Sequence, residues 1–128
     1  MKNYNKFILI FVVYLSSSFN AYSIEPDIFV QSTVNRASKI LSQDLSKEQK
    51  IDKLKMIAVE TVDIKGIGFY TLGGVRKSLN EKDKEKYLKL FKNYFLKSFS
   101  SRLAEYTNPE IDVQGKKVLN ENYTIVNS

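Results

Sequence analysis

At 128 residues the chain suits one small domain with a modest core, and 20 lysines and arginines against 14 aspartates and glutamates give it a net charge of +6. It contains no cysteine and no histidine. That composition excludes disulfides, zinc-thiolate sites, cysteine-linked lipid anchors and histidine general bases, so any catalysis would have to run on carboxylates.

Met1 to Ser23 reads as a secretory signal peptide: Lys2 and Lys6 precede the apolar run Phe7 to Leu15, followed by Ser16-Ser17-Ser18 and the small residues Ala21 and Ser23 at a cleavage position. The run is too short for a membrane span, which needs roughly 20 apolar residues. Cleavage after Ser23 leaves residues 24–128 as a single domain with 18 basic and 14 acidic side chains, a milder balance than the whole chain. A first helix is predicted from Pro26 to Ser42, with proline suited to the first turn and Val30, Val34, Ala37 and Leu41 recurring at helical spacing. Ser46-Lys47-Glu48-Gln49 has the form of a capping box and opens a second helix, which Ile51, Leu54, Met56, Ile57 and Ala58 carry to about Val62.

Asp63 ends that helix or caps the next one, a short bent helix from Ile64 to Leu72 weakened by Gly66 and Gly68. These glycines match neither a phosphate loop nor a dinucleotide fingerprint, because no strand precedes them and no Gly-Lys-Ser/Thr follows. Asn80, with Asp83 three residues on, caps the longest element, predicted from Glu81 to Tyr106 and stopped by Asn108-Pro109. The remaining residues read as a β-hairpin: Ile111-Asp112-Val113, a turn at Gln114-Gly115-Lys116, and Lys117 to Val126, with Tyr123 to Val126 the clearest strand.

Three feature sets bear on function. The carboxylates Glu60, Asp63 and Glu105 form no pair placed by sequence, and Ser100 and Ser101 have no visible base, so solvent and capping roles suit them better than catalysis. Lysines 82, 84, 86, 89, 92 and 97 interleave with Glu81, Asp83 and Glu85, the pattern of a solvated face, with an anionic partner as the sharper alternative. Export argues against nucleic acid. Phe91, Phe95 and Phe99, with Tyr87, Leu88, Tyr94 and Leu103 beside them, form a stripe wider than one partner helix needs, which is either core or the wall of an acyl-chain cavity.

From Asp63 through Leu72-Gly73, Tyr87, Phe91 and Phe99 to Arg102-Leu103-Ala104-Glu105-Tyr106, the chain resembles the MlaC-type periplasmic phospholipid-binding proteins, also called the toluene-tolerance family. The resemblance implies an α+β fold, its helices packed on a curved antiparallel sheet around an apolar pocket, with no cofactor, metal or catalysis. It also implies a shuttle carrying phospholipid between an outer-membrane lipoprotein complex and an inner-membrane ABC transporter with an MCE-domain ring. Arg76 stands where relatives often have an aromatic residue. Members continue with further strands, so the sheet here is expected to be incomplete and this chain to be the N-terminal part of such a domain. The expected lipid-binding wall is Phe69, Leu72, Val75, Phe91, Phe95 and Phe99, with nearby lysines meeting the headgroup phosphate. The alternative is a non-enzymatic interaction module that docks on a membrane transport complex through the same apolar face.

Overall fold

The computed structural model describes residues 23–107 and 109–128. The signal peptide read at residues 1–23 therefore lies outside the described residues except for Ser23. Among the described residues, helices α1 (Pro26–Leu41), α2 (Lys47–Thr61), α3 (Ile64–Leu72) and α4 (Glu81–Leu103) precede the hairpin strands β1 (Gly115–Asn120) and β2 (Tyr123–Asn127). The fold is α+β, mostly helical, with a two-stranded antiparallel sheet at its C-terminal end.

Local chemistry accounts for the helix starts. Pro26 enters the first turn of α1, where a missing N–H costs nothing, and Asp27 there meets the positive end of the helix dipole. At α2 the Gln49 N–H donates to Ser46 Oγ at 3.2 Å while the Ser46 N–H donates to Gln49 Oε1 at 3.0 Å, a reciprocal box. Asp63 caps α3 by accepting from the Gly66 N–H at 2.9 Å. Asn80 does the same for α4 with the Asp83 N–H, also at 2.9 Å.

The buried apolar core is Leu41 on α1, Leu54, Ile57 and Ala58 on α2, and Ile64 on α3. Met56, expected in the same stripe, is exposed, because it falls about half a turn away from Leu54 on the helix. α2 packs against both α1 and α4, α3 lies on α4, and the hairpin rests on α1. Gly68 is the close point of the α3 contact: a Cβ there would sit 3.0 Å from Leu88 Cδ2 and 3.0 Å from Phe91 Cδ1. α3 runs without interruption to Leu72, and the chain turns at Gly73, whose φ of 55° favours glycine, into a short 3₁₀ segment, Gly73–Lys77.

Two boundaries differ from the sequence reading. α4 ends at Leu103, and the next residues close tighter turns in which the Tyr106 N–H donates to the Leu103 carbonyl at 3.0 Å. The hairpin turn is not at Gln114–Lys116. Gly115 and Lys116 open β1, Gly115 pairs with Asn127 and Lys116 with Val126, and the chain reverses at Glu121-Asn122. Glycine signalled a turn, but the polar side chain that makes one is Asn120, whose Oδ1 accepts from the Asn122 N–H at 2.9 Å. The pairing is irregular between Val118 and Asn120.

Candidate functional site

Small side chains on facing helices leave space that large ones would fill. Ala37 on α1 and Ala58 on α2 both line a cavity of about 630 Å³. Val34, Leu41 and Ile57 add aliphatic wall, Phe99 and Leu103 close it from the end of α4, and Pro109 to Ile111 cross its remaining side. Polar groups on the lining are turned into the backbone. Thr61 Oγ1 donates to the Ile57 carbonyl at 2.7 Å and Ser38 Oγ donates to the Pro109 carbonyl at 3.2 Å. That second bond ties the irregular segment to α1, as does the Val113 N–H donating to Gln31 Oε1 at 3.2 Å.

Glu110 is the one charged side chain among the lining residues, and no lysine is among them. The site is open at its rim, where Phe99, Ile111 and Tyr106 remain partly exposed. An apolar chamber of this kind can hold hydrocarbon and offers little to an ionic ligand beyond the Glu110 carboxylate. Its size falls in the range of ligand pockets, about 300–1,000 Å³.

Outside the cavity lining, a charge contact holds the hairpin to the start of α1. Lys116 Nζ donates to Asp27 Oδ1 at 2.8 Å and also pairs with Glu25. The hydrogen bond from Lys116 holds the Asp27 carboxyl below its ordinary pKa of 3.8. The same bond to Asp27, and the second one to Glu25, raise the Lys116 ammonium above its ordinary 10.5. Further away, hydrogen bonding at the start of α2, from its own backbone N–H and then from Ser46, lowers Glu48.

Of the aromatic and aliphatic residues expected to form a lipid wall, Phe99 lines this cavity. It is the last ring of a stacked ladder, Tyr87, Phe91, Phe95 and Phe99, with successive centroids 5.9, 6.1 and 5.4 Å apart. Phe91 belongs to the contact with α3, and Phe95 is half-buried between the two. Phe69 and Leu72 are half-buried on α3, with the Lys65 ammonium 5.9 Å from the Phe69 ring, and Val75 is exposed on the 3₁₀ segment. These five are not among the cavity residues.

The walls contributed by α1 and α2 were not singled out by sequence. Their signal, the stripes through Val34, Ala37 and Leu41 and through Leu54, Ile57 and Ala58, is the same for a filled core and for a chamber. The carboxylates have separate engagements: Glu60 pairs with Arg36 at 2.5 Å, Asp63 caps α3, and Glu105 pairs with Lys47 at 3.5 Å. Among the described residues no three acidic side chains gather into a metal-holding cluster, and no helix is long and apolar enough to cross a membrane.

Searches of curated proteins and of solved structures return no match. The family model described as MlaC protein matches residues 31–128, a span that contains every cavity-lining residue, and the chain belongs to the MlaC family.

Proposed function

We propose that this protein is a periplasmic phospholipid-binding shuttle in the intermembrane transport that maintains outer-membrane lipid asymmetry. In this reading residues 1–23 are a signal peptide removed on export. The family is one of lipid-binding carriers of the Mla transport system rather than of enzymes, which supports the class of activity. The observation that carries the reading is the apolar cavity between α1, α2 and the end of α4. Each methylene transferred from water into it gains about 0.8 kcal/mol, so a single acyl chain supplies ample affinity.

The shuttle exchanges lipid with an inner-membrane ABC transporter bearing an MCE ring and with an outer-membrane lipoprotein complex. No step is chemical. Phe99 contributes apolar wall, and the ladder through Phe95 and Phe91 extends the same surface along α4 toward α3. Phe69, Leu72 and Val75 lie along that extension in this proposal, as sites where a second chain or a partner engages.

Extraction of the purified protein followed by mass spectrometry tests the reading, with phospholipid in stoichiometric amount the expected result. The variant Ala37→Trp fills the chamber and is expected to lose bound phospholipid while remaining folded by circular dichroism. A folded wild-type protein that carries no lipid and takes none up overturns the carrier. The second reading, an interaction module, is favoured by the exposed Val118, Leu119, Tyr123 and Ile125 on the hairpin. It is distinguished by a hairpin variant, Leu119→Lys with Ile125→Lys, that abolishes partner capture in a protein whose wild type binds no lipid.

A further inference from the structure

The long helix α4 has a second face that the cavity does not use. Lys82, Lys86, Lys89 and Lys97 are all exposed, and at 3.6 residues per turn they fall on one arc of the helix with Asn93 among them. None of the four forms an ion pair among the described residues, whereas Lys84, on another side of the helix, pairs with Glu81 at 2.7 Å. The nearby acids do not neutralise the arc. Asp83 accepts from Asn80 Nδ2 at 2.8 Å, and Glu85 lies on the flank without an ion pair. Beside the lysines, Leu90 and Tyr94 stand 59% and 70% exposed.

An ordinary solvated helix face alternates charges of opposite sign along its length. This one gathers unpaired ammonium groups against an exposed leucine and tyrosine, the pairing that suits the boundary of an anionic bilayer, where headgroups meet the cations and the apolar groups enter just below. We propose that this face of α4 docks the protein on anionic phospholipid bilayers, independently of what the cavity holds. Phe99, the α4 ring that lines the cavity, lies about a third of a turn from the middle of this arc.

The test is co-sedimentation of the purified protein with phosphatidylcholine vesicles containing phosphatidylglycerol, and with vesicles of phosphatidylcholine alone. Binding is expected to the first and not the second, and to fall as salt is raised. Lys86→Gln with Lys89→Gln is expected to weaken partitioning by on the order of tenfold. The charge-matched control Lys53→Gln with Lys117→Gln, on other faces, leaves it near wild type. Leu90→Ser with Tyr94→Ser lowers binding while keeping its salt dependence. Equal loss in the control pair, binding indifferent to phosphatidylglycerol, or no effect of the α4 lysine pair overturns the proposal. Circular dichroism of each variant separates lost docking from lost folding.

Discussion

Ser100 is fully buried in α4, and its hydroxyl finds no hydrogen-bond partner among the described residues. A buried hydroxyl without a partner costs about 1–3 kcal/mol, and alanine is also the better helix former. Ser100→Ala is therefore expected to leave stability unchanged or raise it by about 1 kcal/mol, read as an upward shift in urea midpoint. Gly68 works in the opposite direction. Alanine there would press on Leu88 and Phe91 by a few tenths of an ångström, while gaining about 1 kcal/mol of helix propensity, so the two effects nearly cancel. Leucine has no such offset. Gly68→Leu is expected to cost about 1–3 kcal/mol by separating α3 from α4, and to weaken the bond between Thr71 Oγ1 and Tyr87 OH, which are 2.9 Å apart. Residue-scale chemistry was also the most legible part of the sequence. Ser46 with Gln49, and Asn80 with its cap on Asp83, announce their helices because the capping bond is local and needs no knowledge of the rest of the fold.

Between elements, the hairpin depends on α1 for its position through Lys116, Asp27 and Glu25. Asp27 has a lowered folded pKa, so its contribution is present above the unfolded carboxylate value and is lost as pH falls through the folded one. Lys116 has a raised folded pKa, so its contribution is complete below the unfolded lysine value and is lost as pH rises through the folded one. The tether is thus intact across the neutral range and loosens below about pH 4 and above about pH 10.5. Amide hydrogen exchange should show β1 and β2 losing protection in acid before α2 does, and Lys116→Gln should show the same loss at neutral pH. Equal protection of the hairpin in wild type and variant would show that the tether does not hold it. The hairpin is where sequence reading failed at this scale, because Gly115 and Asn120 are both turn formers and local chemistry does not choose between them. The cavity was illegible for a related reason. Ala37 looks like an ordinary core residue, and only the spacing of α1, α2 and α4 shows that it lies beside open volume. The aromatic stripe of α4 that holds Phe99 was legible from periodicity, but the same periodicity gave no way to separate Phe99 from Phe91, which meets α3.

Across the described residues, five apolar side chains are buried, while Phe29, Val59, Ile67 and other large side chains remain substantially exposed. So small a buried core contributes a small reserve of stability. The cavity of about 630 Å³ occupies the place where a denser protein would put its centre. Cargo in that space would serve as core material, and folding and loading become one equilibrium. Phospholipid at a hundredfold excess over its dissociation constant should add about 2.7 kcal/mol, so under the proposed function the delipidated protein is expected to melt on the order of 10 °C below the loaded one, with the gap closing in Ala37→Trp. If the protein carries lipid as proposed, its empty form is the one most exposed to proteolysis, and the lifetime of the protein itself would register how much of it is loaded.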